Sequence, residues 1–196
     1  MIPSLANGMA SRRIAECIAV EQQLLQDSSF LELLEATALR VSAAVRAGRK
    51  VLFMGNGGSA ADAQHLAAEF TGRYMMERRA LPAIALNANA SEITAIANDY
   101  SFDRIFARQI EALGQPGDVA IGLSTSGNSG NVVLAMQTAR VRNLLTVALT
   151  GSSGGLLKDE VEVCLRVPSA DTPRIQECHL LVGHILCEIV EHELCK

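Results

Sequence analysis

Tryptophan is missing from this chain, and aromatic residues make up only 4% of it. That scarcity excludes the stacked aromatic platforms on which single-stranded nucleic acid lies. Basic residues are not in excess either. The 17 Lys and Arg against 21 Asp and Glu leave a formal net charge of −4, so no broad footprint for a phosphate backbone is expected. The five cysteines, Cys17, Cys164, Cys178, Cys187 and Cys195, form no C-x-x-C pair. An odd, scattered set reads as reduced thiols in a reducing compartment. No run reaches the roughly 18 apolar residues of a membrane span, because His184, Glu188 and Glu191 interrupt the C-terminal candidate. The first 13 residues lack the continuous apolar stretch of a signal peptide. The expectation is a cytoplasmic chain with neither nucleic acid nor membrane as partner.

What is present is enough for one packed core: 196 residues, 49% of them hydrophobic, with no linker, repeat or low-complexity segment. One domain spanning residues 1–196 is expected. Two helical stretches come first, about Ser11–Leu25 and Phe30–Ala47, the second with Leu31, Leu34, Ala38 and Val41 at helical spacing and Gly48 as its C-cap. Short apolar strands follow at Lys50–Met54, Ala83–Leu86, Val119–Leu123, Leu145–Leu149 and Val161–Val167. Helical patterns over Ser59–Phe70, Ser91–Leu113, Val132–Val141 and Thr172–Leu194 separate or follow them, with Pro173 in the first turn of the last. Strands alternating with helices mean βαβ units, so the fold class is α/β, a doubly wound five-stranded parallel sheet flanked by helices. The helical extension before the first strand, about residues 10–48, exceeds what the sheet needs for cover, and a homo-oligomer with that extension at an interface is expected.

Two loops occupy the place where open parallel sheets bind ligands, beyond the carboxyl ends of strands. Gly55-Asn56-Gly57-Gly58-Ser59 follows the first strand and Ser124-Thr125-Ser126-Gly127-Asn128-Ser129 the third. Backbone N–H groups at a helix start favour an anion, and the hydroxyls of Ser124, Thr125, Ser126 and Ser129 add donors without charge. Gly127 is expected to relieve crowding that would hold a phosphate off the backbone. The plainer alternative makes both loops turns, with Ser59 and Ser129 as N-caps. No Lys follows the glycines and G-x-G-x-x-G is not matched, so a simple phosphate suits the loops better than a nucleotide.

Acid–base candidates lie on two helices. His65 and Glu69 are four apart and share a helix face, where they can relay a proton or simply form a solvated contact. His184, in an otherwise apolar helix, fits a core histidine as well as a catalyst. Helical spacing puts Glu177 about 20° from His184, Gln176 about 80° and His179 about 140°, so periodicity favours Glu177 as its neighbour.

Gly55-Asn56-Gly57-Gly58-Ser59, Ala97-Asn98-Asp99 and Ser124–Ser129 together resemble sugar isomerase (SIS) domains. Arg174-Ile175-Gln176-Glu177, with His184 beyond it, narrows the resemblance to the sedoheptulose-7-phosphate isomerase family, over about Arg12 to Glu193. The resemblance implies a flavodoxin-like SIS fold and a homotetramer. It also implies an aldose–ketose isomerase that converts sedoheptulose 7-phosphate to D-glycero-D-manno-heptose 7-phosphate through an enediolate, the first step towards ADP-heptose for lipopolysaccharide core. Glu69 is then the general base and His184 the general acid. Asn56, Gly57, Gly58, Asn98 and Asp99 contact the sugar, while Ser124, Thr125, Ser126 and Ser129, with Ser59 beside them, cradle the phosphate. Arg73, in Thr71-Gly72-Arg73-Tyr74, is a further substrate contact. His65, Glu69, Gln176 and His184 match positions that bind zinc in some members, which makes Gln176 rather than Glu177 the partner of His184. A carboxylate ligated to zinc is a poor base, and the sequence leaves open which duty Glu69 performs. The rival reading is a non-catalytic SIS regulator similar to the initiator-associating protein of bacterial replication, or a sugar-phosphate sensor. Both lack the pair matching Glu69 and His184, which this chain carries.

Overall fold

The computed structural model describes residues 8–195. Strands β1 (Val51–Gly55), β2 (Ala83–Ala85), β3 (Val119–Ser124), β4 (Leu145–Thr150) and β5 (Val163–Arg166) form one sheet in the order β2-β1-β3-β4-β5. Every pairing is parallel. Alternation along the strands decides which face each side chain serves. Val51, Phe53, Val119, Ile121, Leu123, Val147 and Leu149 join one core cluster with residues of α1 (Met9–Gln26), α2 (Ser28–Arg46), α3 (Gly58–Thr71) and α8 (Thr172–Leu194). Their neighbours Leu52, Met54, Ala120 and Ala148 join the opposite cluster. That cluster is covered by α4 (Ala90–Asp99), α5 (Ile105–Leu113), α6 (Gly130–Val141) and the single turn α7 (Leu157–Glu160). The sheet is therefore doubly wound, as expected.

The helix ends follow from local chemistry. Asp27 caps α2 by accepting from the Phe30 N–H at 3.0 Å, and Gly48, at φ +78°, turns the chain out of it. Three boundaries depart from the sequence reading. The helical pattern over Ser91–Leu113 is two helices, broken at the extended Ser101 and a 3₁₀ turn at Phe102–Arg104. The break lets Ile105, Phe106 and Ile110 bury completely against the sheet while α4 stays on the rim. β5 is shorter than Val161–Val167: its register with β4 runs over Val163–Arg166, with the Val167 N–H reaching the Thr150 carbonyl just beyond it. The turn α7 is too short to carry a helical period and was not anticipated.

Register brings the ends of β1 and β3 side by side, Gly55 opposite Leu123. The strand order reverses between these two strands, which is the switch point where such sheets bind ligands. Outside the sheet, α1 lies on α8 and α2. It buries Val20 and Leu24 but leaves Ile14, Ile18 and Leu25 61%, 46% and 72% exposed. Among the described residues no helix is long and apolar enough to cross a membrane.

Candidate functional site

The loop after β3 is built before any ligand arrives. Ser124, 3% exposed, lies with its Oγ 2.9 Å from that of Ser129. Its carbonyl accepts the Gly127 N–H at 3.0 Å. The Asn128 N–H donates to Ser126 Oγ at 3.1 Å, and Asn128 Oδ1 accepts the Leu156 N–H at 2.9 Å, tying this loop to the one after β4. Gly127 has φ +68°, and a Cβ there would sit 2.1 Å from the Gly154 carbonyl oxygen. Its necessity thus comes from backbone packing against the neighbouring loop, where the sequence reading ascribed it to room for phosphate. Ser129 holds the N-cap position of α6 without capping it, and Gly57, at the N-cap of α3, has no side chain to cap with, Ser59 lying inside the first turn. Both helix N-termini are therefore without a side-chain cap, against the expectation that Ser59 and Ser129 could serve as caps.

The two loops are joined. Asn56 and Asn131 pair amide to amide, at 2.8 and 2.9 Å in the two directions, and Asn131 is 2% exposed. Gln176 of α8 covers Gly58 so closely that a Cβ there would lie 2.6 Å from its Nε2. A cleft of about 270 Å³ opens between Thr125, Ser126 and Asn128 on one side and Ser152, Ser169 and Thr172 on the other. A larger hollow of about 490 Å³ lies over the far half of α8, against Met75, Met76 and Ile189. It lacks the cluster of hydroxyl side chains that lines the smaller cleft.

His65 and Glu69 on α3 meet His184 on α8. The two Nε2 atoms stand 2.8 Å apart with ring centroids at 5.1 Å, so one ring presents its N–H and the other its lone pair. Glu69 Oε1 is 3.5 Å from His65 Nε2. Tyr74 lays its ring 5.6 Å from that of His184. The helices approach because Gly183 has no side chain: a Cβ there would lie 2.6 Å from Leu66 Cδ2. One turn before His65, Asp62 has a carboxyl raised by burial and only partly held back by His65.

Other sequence candidates stand apart from these contacts. Arg73 is exposed and 4.0 Å from Glu77. Asn98 and Asp99 close α4, with the Asn98 amide donating to Asp99 at 2.9 Å. Glu177, favoured by periodicity, pairs with Arg174 at 2.6 Å. Sharing a face is not contact: seven residues of helix separate Glu177 from His184 by about 10 Å. His179 is wholly buried, with neither ring nitrogen in a hydrogen bond of ordinary geometry. Burial pushes it down to about 4, the Thr150 backbone offsetting only part of that. Burial also holds the Cys17 and Cys187 thiols up to about 12 and Cys178 up to about 11, so Cys178 and Cys187 are inert core thiols while half-buried Cys17 stays a protonated thiol. Among the described residues no three His, Cys, Asp or Glu side chains are gathered as a metal cluster.

Sequence reasoning missed Asn131, Tyr74 and Gly183. Asn131 lies two residues beyond the Ser/Thr loop, and that adjacency was the one available signal; the others act only across the fold.

Comparison with known proteins bears on family and fold. A family model described as SIS domain matches residues 14–151. The phosphoheptose isomerase of Geobacter sulfurreducens is 53% identical over 94% of this chain and 94% of its own. That of Rhodospirillum rubrum is 56% identical over 80% of this chain and 83% of its own. The solved phosphoheptose isomerase of Neisseria gonorrhoeae superposes with a TM-score of 0.89 at 40% identity, covering 95% of this chain and 98% of that one.

Proposed function

Because the chain belongs to the phosphoheptose isomerase family of SIS-domain proteins, we propose that Glu69 and His184 carry the proton transfers that interconvert sedoheptulose 7-phosphate and D-glycero-D-manno-heptose 7-phosphate. The observation that carries this reading is the meeting of a carboxylate and two imidazoles from different helices, His65 and Glu69 of α3 with His184 of α8. The two uncapped N-termini and the hydroxyls of Ser124, Thr125, Ser126 and Ser129 receive the phosphate, with Ser59 at the edge. Asn56, Gly57, Gly58 and Gln176 line the way from the phosphate to the acid–base cluster, and Arg73, Asn98 and Asp99 complete the sugar contacts. From Gly58 to His65 is about 10 Å along α3, so a substrate must carry its phosphate well away from its carbonyl.

Isomerisation moves one hydrogen between C1 and C2. Glu69 takes the proton from the carbon beside the carbonyl, and the electron pair left behind forms the enediolate. His184 gives a proton to one oxygen and accepts one from the other. Glu69 then returns its proton to the neighbouring carbon, so no net proton is lost. Charge develops on the two oxygens, and donors fixed around them lower the barrier most.

Zinc is the proposed cofactor, one per subunit, held by His65, Glu69 and His184. Two imidazoles and a carboxylate suit a borderline cation and two ring nitrogens already face each other. Gln176, set over Gly58 and eight residues or about 12 Å before His184 on α8, does not reach the other three within one chain, against the expectation that it partners His184. When bound, such a cation supplies Lewis acidity that draws charge off the enediolate oxygens. A cytoplasmic homotetramer is proposed as well, with the uncovered Ile14, Ile18 and Leu25 of α1 at a subunit contact. Sedimentation at the monomer mass of 20.9 kDa would remove that part.

The deciding experiment is turnover of sedoheptulose 7-phosphate by the purified protein, with metal content measured before and after chelation. A preparation that binds a protein partner but does not isomerise the sugar would favour the regulator instead.

A further inference from the structure

Between the end of α3 at Thr71 and β2 at Ala83 the chain has no regular structure. Segments of that kind are usually the loosest part of a fold. Here the segment is pinned from beneath. Glu191 of α8, 1% exposed, accepts the N–H groups of Tyr74, Met75 and Met76 at 3.0, 2.7 and 2.8 Å. It also accepts Arg78 Nε at 2.7 Å. The Arg78 side chain is 4% exposed. It directs Nη2 to the Glu69 carbonyl at 2.7 Å, and Nη1 to those of Phe70 at 3.0 Å, Gly72 at 3.3 Å and Arg79 at 3.1 Å.

Helix C-termini leave their last carbonyls without intrahelical partners. Arg78 supplies those partners for the end of α3, including the carbonyl of Glu69 itself. Only a planar fork can reach an acid on one side and several carbonyls on the other, so a lysine would not substitute. Burial would raise the Glu191 carboxyl, but the backbone N–H groups and Arg78 outweigh it and hold the group below the usual carboxylate range. A buried ion pair is weak ground for stability, since apolar side chains of similar volume often serve as well. What apolar side chains cannot do is fix where Glu69 and Tyr74 stand.

We propose that Arg78 and Glu191 are positioning residues for the isomerisation: they hold Glu69 at the end of α3 and Tyr74 against His184, so that base and acid keep one spacing. The inference rests on the reading that Glu69 and His184 move the protons.

The test is the double variant Arg78→Met/Glu191→Leu, which removes both charges together and so avoids orphaning either. Thermal melts establish that it folds. Expected is a fall in kcat of about 10²-fold, the effect of a misplacement near 1 Å, with KM for sedoheptulose 7-phosphate nearly unchanged. Arg78→Lys, keeping charge without the fork, should lose kcat to an intermediate degree. A second readout needs no turnover. The chain has two tyrosines and no tryptophan, so a Tyr100→Phe background leaves Tyr74 as the sole fluorophore, and its emission should change when the double variant frees the ring from His184. A folded double variant with parental kcat overturns the proposal, as does a rise in KM alone. If the parent itself does not turn over the sugar, the functional reading fails separately, and unchanged Tyr74 emission in the double variant then overturns the clasp.

Discussion

The Ser/Thr loop at the carboxyl end of β3 and the His65–Glu69–His184 cluster further along α3 and α8 are made in different ways. The Ser/Thr loop is held mostly by its own residues, with added ties to the neighbouring loops through Asn128 and Asn131. Ser124 to Ser129 are six consecutive residues, tied within themselves by the Ser124–Ser129 and Ser126–Asn128 hydrogen bonds. The cluster is assembled across the chain: His65 and His184, 119 positions apart, stand 2.8 Å from each other because α3 and α8 pack closely at Gly183. A local device tolerates small errors elsewhere in the fold, whereas a long-range one inherits every shift between its helices. Binding should therefore be the robust property of this protein and proton transfer the fragile one.

The largest effect that would break this comparison is a failure of proton transfer to separate from binding. Glu69→Gln keeps size and hydrogen bonding while removing the base, and His184→Gln removes the acid. Each should lower kcat by about 10²–10⁴-fold, with inorganic phosphate still bound at parental affinity. If both folded variants keep kcat within a few-fold of the parent, the assignment of the chemistry is wrong.

His179 sharpens the comparison from beneath, because it lies on the same helix as His184 and interacts with the Thr150 backbone at the end of β4. Its folded value of about 4 lies below the ordinary 6.5. The unfolded chain therefore binds a proton first as pH falls, and stability drops from pH 6.5 down to about 4 and levels off below. The gap between those values corresponds to about 3 kcal/mol. Denaturant melts across that range should show the slope, and His179→Leu should flatten it. A slope that survives the substitution assigns it elsewhere.

For the cradle, Ser124→Ala and Ser126→Ala should each weaken substrate binding by about 1–3 kcal/mol, the usual worth of a hydrogen bond to a charged group. That loss should appear in KM. A loss confined to kcat would mean that the cradle is coupled to the chemistry and that the two regions are one.

The smallest effect is a control outside both. Arg40 and Glu162 pair at 2.6 Å across 122 positions, yet both side chains are nearly half exposed. Arg40→Ala should change stability by less than about 1 kcal/mol, showing that sequence distance alone does not make a contact matter. A larger change in melting would mean that this edge of the sheet depends on the ion pair.

The strands, the long helices and the places of the two glycine- and hydroxyl-rich loops after β1 and β3 were legible in the sequence because each is encoded by neighbouring residues: apolar alternation, helical period, glycine and hydroxyl at a strand end. The fold class followed from their order. The family likeness added roles to Glu69, His184 and Gln176 that spacing could not assign, and periodicity alone pointed to Glu177. What only the tertiary structure decided was everything that depends on two distant elements touching. Gly127 is needed because the Gly154 carbonyl lies where its Cβ would be, Asn131 matters because its amide meets Asn56, and Arg78 because its fork reaches the end of α3. The physical reason is common to all three. Side-chain period and turn chemistry act over a few residues, while hydrogen bonds and steric fit depend on positions that exist only once the sheet has brought its helices together.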